Sequence, residues 1–201
     1  DGWPERLLAE LSLVHLLAPG WTQRDTLPED LLATVREHSG FTIPAADVRT
    51  APAVHDHWAV VALRDLDTEA IPTRRVWLRG QSSGRWAVVL FFAAAGQTMD
   101  ASLLPGTQIE ADLHFYPGRA GFRAVVGERM PEAIELHNWQ TGTITVDEAA
   151  NEWAKAIADD PWQQQIPVVL NGVIDRHDRR WTLTDAEGVA APLHGVEGDL
   201  L

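Results

Sequence analysis

The chain has 201 residues, 45% of them hydrophobic and 22% charged, with no cysteine and a formal net charge of −13. The lack of cysteine excludes disulfides, thiolate zinc sites and cysteine nucleophiles, and the acidic excess disfavours nonspecific nucleic-acid binding. No apolar run reaches the ~20 residues that a bilayer-spanning helix needs and no secretory signal opens the chain, so a cytoplasmic setting without membrane contact is expected.

The first segment, WPERLLAELSLVHLL, carries Leu7, Leu8, Leu11, Val14 and Leu17 at helical spacing, with Gly20 as a stop signal. Residues 28–39 predict a second helix, with Pro28 near its start, Gly40 just past its end, and Leu31, Leu32 and Val35 as its apolar face. The chain opens at Asp1 without methionine and on a helical pattern, and so reads as a piece of a longer polypeptide. From Trp58 the period changes. WAVVALR, RVWLRG, RWAVVLFF, QIEADLHFY and FRAVVGE read as five strands, with turns at Pro72, Ser82-Ser83-Gly84, Pro105-Gly106 and Pro117-Gly118. MDASLL reads as a short helix or an irregular crossover. Val146, Ala150, Trp153 and Ile157 restore helical spacing, and PVVLNGVID, RRWTLTD and VAAPLH predict three closing strands with a turn at Glu187-Gly188. That last pattern of strand, charged turn and Trp-bearing strand is familiar from small OB-like barrels, although Asp175, Asp178, Asp185 and Glu187 there repel phosphate.

Charge is unevenly spread. Residues 1–73 hold five Arg against twelve acids, residues 74–130 seven Arg against four, and residues 131–201 four basic residues against thirteen acids. The middle is a basic island. Its centre is RRVWLRGQSSGRWAVVLFF, residues 74–92, with two tryptophans and four arginines. If residues 81–84 form a hairpin loop, Arg79 faces Trp86, Trp77 faces Val88 and Arg75 faces Leu90. Arg75, Trp77, Arg79, Arg85 and Trp86 are then the candidate binding surface, able to hold arginine against indole and to stack on a base or a partner side chain. The competing reading, and the one favoured by the apolar content, makes Trp86, Val88, Leu90 and Phe92 a core face with Arg79 at its rim.

Other constellations offer less. His55 and His57 flank Asp56 and suit a loop cap better than a metal site. Asp65, Asp67 and Glu69 read as a polar turn, Asp159-Asp160 and Glu148/Glu152 as a solvated helix face, and His114 and His137 as isolated. No nucleophile elbow or phosphate-binding glycine loop occurs, so no enzyme and no catalytic residue is expected.

WPERLLAELSLVHLL, the stretch from HDHWAVVALRD through RRVWLRGQSSGRWAVVLFFAA, LLPGTQIEADLHFYPG and DDPWQQQIPVVLNGVI together resemble the C-terminal region of bacterial SWIM zinc-finger family proteins, especially actinobacterial ones. The family's zinc motif, Cys-x-Cys followed by Cys-x-His, has no counterpart here. The resemblance therefore implies zinc only in an upstream motif, with no metal ligand and no cofactor in these residues. It also implies work in a multiprotein assembly, with a MoxR-type AAA ATPase or a von Willebrand A-domain protein as candidate partners.

The expected architecture is α+β. A central antiparallel, barrel-like sheet at residues 51–130 follows a helical N-terminal segment at 1–50, and a helix plus a small OB-like β-meander fills 131–201. The expected function is that of an accessory interaction module binding a protein partner. Nucleic-acid binding through the Arg/Trp hairpin is the alternative.

Overall fold

A computed structural model describes residues 2–66, 71–93, 98–136, 143–177 and 180–194. The chain divides into two units, Asp1–Trp139 and Gln140–Leu201. It is α+β, and among the described residues no helix is long and apolar enough to cross a membrane.

The first unit opens with helix α1, Trp3–Thr22, and helix α2, Glu29–His38. Gly20 does not stop α1, which runs on through Pro19 and Gly20. The glycine serves packing instead, since a Cβ there would lie 3.1 Å from Val35 Cγ2. Glu29 and Asp30 in the first turn of α2, with Arg36 and His38 in its last, complement the helix dipole. Thr34 and Val35 are its buried residues, whereas α1 buries none. A single-turn helix, α3 (Ala45–Val48), leads into the sheet.

Strand β1 spans Ala53–Leu66, β2 Thr73–Gly80, β3 Trp86–Phe92, β4 Thr107–Phe115, β5 Arg123–Arg129 and β6 Ile134–Glu135. The first half of β1 pairs antiparallel with β4 and the second half with β2. A bulge between Val60 and Ala62 lies within the β2-paired half, just past the end of the β4 pairing at Ala59, and bends the strand where it passes from one neighbour to the other. β2–β3 and β4–β5 are antiparallel, and β3–β5 is parallel. The strands thus close into a ring, β1-β2-β3-β5-β4 and back to β1, with β6 added at the rim of β4. Closure gives each of those five strands a neighbour on both sides, with the β3–β5 contact confined to Val88–Arg123 and Val89–Ala124.

The ring's interior holds Trp58, Val60, Val76, Leu78, Ala87, Val89, Ile109, Ala111, Leu113 and Ala124. Trp58 is fully buried, and its Nε1 donates to the Ala111 carbonyl at 3.0 Å, which satisfies the indole's only polar atom. MDASLL is irregular and not helical. It contributes Leu103 to the core, while Asp100 Oδ1 accepts from the Ser102 amide at 2.7 Å.

The second unit contains helix α4, Val146–Asp159, and strands β7 (Gly172–His177), β8 (Arg180–Asp185) and β9 (Ala190–Leu193) in an antiparallel meander. Thr145 and Glu148 form a reciprocal capping box at the start of α4. Asp185 accepts from the amides of Val146, Glu187 and Val189, tying that helix start to the β8–β9 turn. Asp160 belongs to no solvated face: it is buried and accepts from the Trp162 amide at 3.0 Å. Asp67, Glu69, His137 and Asp178 lie outside the described residues.

Candidate functional site

The basic-island hairpin is strands β2 and β3 joined by residues 81–84. Its register pairs Arg79 with Trp86, Trp77 with Val88, Arg75 with Leu90 and Thr73 with Phe92. The core face is the other one. Val76, Leu78, Ala87 and Val89 point into the ring, so Trp86, Val88, Leu90 and Phe92 are not the interior layer that their bulk suggested. Arg75, Trp77 and Arg79 of β2 share the outer face with them. Val88 on this face is buried, Arg75, Trp77, Arg79, Trp86 and Leu90 are half-buried, and Phe92 is 57% exposed.

The loop between the strands is held from below by a residue of β1. Asp56, only 3% exposed, accepts from the amides of Ser82 at 3.0 Å and Ser83 at 2.8 Å, and from its neighbour His57 at 2.7 Å. Burial alone would push its carboxyl up. The amides of Ser83, Ser82 and His57, with the Ser83 hydroxyl, outweigh that and hold it below the usual carboxylate range. Gly80 is required by closeness, since a Cβ there would stand 2.5 Å from Asp56 Oδ2. Gly84 turns the chain back with φ of 62°.

The guanidinium of Arg79 lies 4.9 Å from the Trp86 ring centre. That of Arg85 lies 3.4 Å from the ring centre of Phe115, at the end of β4. Burial lowers the pKa of both arginines from the ordinary value, yet both remain far above neutrality in character as guanidiniums. Among the described residues no acid pairs with Arg75, Arg79 or Arg85.

Residues 116–122, joining β4 to β5, border the same face. Phe122 meets Trp77 edge-on with centroids 6.1 Å apart, and its carbonyl accepts from the Val88 amide at 2.7 Å. Arg123 lies over Tyr116 at 4.3 Å. Helix α2 braces this loop: Thr34 Oγ1 accepts from the Arg119 amide at 2.9 Å, Asp30 pairs with Arg119 at 3.0 Å, and Glu37 with Arg123 at 3.8 Å.

The far side of the ring has the opposite character. On β1 and β4, His55 Nδ1 lies 2.7 Å from Asp112 Oδ1 and Nε2 3.4 Å from Glu110, while His57 Nε2 lies 3.7 Å from Glu110. The Asp112 hydrogen bond, against a smaller opposing desolvation, raises the His55 pKa. The histidines cap no loop; Asp56 between them does. Among the described residues no group of three or more His, Asp or Glu is placed to hold a metal ion. His114 is not isolated, since its Nδ1 lies 2.8 Å from the Ala51 carbonyl. Asp65 forms a two-point pair with Arg74, both contacts at 2.7 Å.

The hairpin half of this site was visible as a run of Arg and Trp. Asp56, Phe115, Phe122 and the α2 brace were not, because each is brought in by a pairing distant in sequence. Only the FYPG string at residues 115–118 hinted at a special loop.

Residues 1–39, which contain α1 and α2, match the family of the SWIM-associated four-helix bundle domain. That supports a SWIM-family region at this end of the chain. No curated protein and no solved structure matches the chain.

Proposed function

We propose that this chain is a non-catalytic accessory module of a SWIM-type protein that binds a negatively charged ligand on the outer face of β2 and β3. The ring order β1-β2-β3-β5-β4 supports a comparison with OB-type barrels, in which the face of the second and third strands is the usual ligand platform. One observation carries the reading. In a chain with 29 acidic and 16 basic residues, half-buried Arg79 and exposed Arg85 each lie over an aromatic ring, and among the described residues neither has an acidic partner. A cation held against an aromatic ring without a counter-charge is placed to gain a charge-assisted contact from an incoming anion.

Heparin chromatography at low ionic strength tests this. The wild type is retained despite its acidic pI, and Arg79→Ala with Arg85→Ala flows through. Wild-type flow-through sinks the reading.

A protein contact is the second reading, favoured by α1. Its Trp3, Leu7, Leu11 and Val14 are all exposed, and the matched domain is a four-helix bundle of which two helices stand here. The resemblance supplies the partners to try, a MoxR-type ATPase and a von Willebrand A-domain protein. Co-purification with either, lost in Leu7→Glu with Leu11→Glu, supports the contact; equal recovery of wild type and variant removes it.

A further inference from the structure

We infer that the ligand of the β2–β3 face is single-stranded nucleic acid, its bases stacking on Trp86 and Trp77 and its phosphates meeting Arg75, Arg79 and Arg85. This rests on the reading of that face as an anion site and narrows it to one chemical class.

Three features of the face select that class. First, cations and flat rings alternate at the spacing of a strand. Arg75, Trp77 and Arg79 follow one another at every second residue of β2, and Trp86 sits opposite Arg79. A polymer that repeats charge and flat ring matches this pattern, whereas a plain polyanion uses only the arginines. Second, the Arg79 guanidinium lies 4.9 Å over the Trp86 ring and makes no other polar contact among the described residues. It occupies the position of a stacked base and is free to swing to a phosphate when a base replaces it. Third, the ring's outer surface is divided by charge. Glu110 and Asp112, backed by His55 and His57, cover the β1–β4 side and repel phosphate there. A backbone is thereby confined to β2–β3 and to the loop of residues 116–122. The rigid paired bases of a duplex cannot offer their faces to an indole, so the single strand is preferred.

The test is anisotropy of a fluorescein-labelled oligothymidylate of about 12 nucleotides, with intrinsic tryptophan emission read in parallel. The expected result is binding with tryptophan quenching and a log–log salt slope of about −2, from three phosphate contacts. Trp86→Ala weakens it about tenfold or more and Trp86→Phe restores most of the loss. Arg75→Ala with Arg79→Ala flattens the slope by about 1.4. Lys155→Ala, in the second unit, changes nothing. Melting curves of each variant confirm folding, and Arg75→Glu provides a test independent of the tryptophans if Trp86→Ala does not fold. Equal affinity for the oligonucleotide, a duplex and heparin overturns the inference and leaves the anion reading standing. So does a poly-glutamate peptide that binds as tightly, which points to an acidic protein segment. Failure of heparin and oligonucleotide alike overturns both.

Discussion

Asp56→Ala removes the acceptor that holds the hairpin loop under the β2–β3 face. Three amide hydrogen bonds end on this carboxylate, at 2.7, 2.8 and 3.0 Å. The His57 bond is to an adjacent residue and is readily replaced by water, which leaves the Ser82 and Ser83 bonds as the main loss. Hydrogen bonds to a charged group contribute roughly 1.5–3 kcal/mol each, and exposure of the freed serine amides returns part of that, so the expected cost is about 3 kcal/mol. For a unit of this size that lowers the melting temperature by roughly 9 °C. Asp56→Asn keeps the oxygen that serves His57 and Ser82 and turns an NH2 toward the Ser83 amide, so it costs about half as much. The carboxyl is held below its ordinary value of 3.8 in the folded state. Its stabilisation is therefore fully present above that value and lost as pH falls through the folded pKa. Calorimetric melting of wild type and both variants across pH checks this. The gap between wild type and Asp56→Ala is constant from about pH 5 to 8 and closes in acid. Equal melting of all three at neutral pH, or a gap that widens in acid, refutes the reasoning.

Trp58→Ala empties the centre of the ring and removes the indole bond to the Ala111 carbonyl, so urea unfolding shows a loss of about 3–5 kcal/mol. A loss near that of a surface substitution is inconsistent with the closed ring. Gly80→Ala drives a methyl into the Asp56 carboxylate and lowers the first unit's melting temperature, an effect that Asp56→Ala in the same chain partly relieves. Thr145→Ala breaks the capping box and costs the second unit about 1 kcal/mol, visible as earlier loss of α4 amide protection in hydrogen exchange. Proton NMR titration finds His55 above its ordinary 6.5, and Asp112→Asn brings it down. The stabilisation from this pair is present at acid pH and is lost as pH rises through the folded pKa.

The hairpin register was legible because loop length fixes it: a four-residue connection leaves Arg79 opposite Trp86. Which face is core was not. Both faces of β3 are apolar, and Trp86, Leu90 and Phe92 offer more area than Ala87 and Val89, which favoured the wrong side. Trp58, Leu78, Leu103 and Leu113 from other segments already occupy the interior, so β3 presents its small Ala87 and Val89 to it and its bulkier residues face outward. The start of β1 was placed at Trp58, five residues late, because His55, Asp56 and His57 look unlike a strand. The polarity is real, but two of the three side chains face outward and the third satisfies loop amides. The β3–β5 pairing, which closes the ring, is parallel and joins distant segments, and no local pattern encodes it. Gly20 misled for a simpler reason, since a glycine required by a close helix crossing looks in sequence like one that ends a helix.

The grip of α2 on residues 116–122 joins two parts of the molecule that composition would separate. Thr34, Asp30 and Glu37 hold the arginine-bearing loop that borders the β2–β3 face. A truncation before β1 therefore does not yield the same barrel without its helices, because it releases the loop as well. By linkage, whatever docks on the helical pair and tilts α2 changes affinity at the face, and occupancy of the face changes affinity for that docking partner by the same factor.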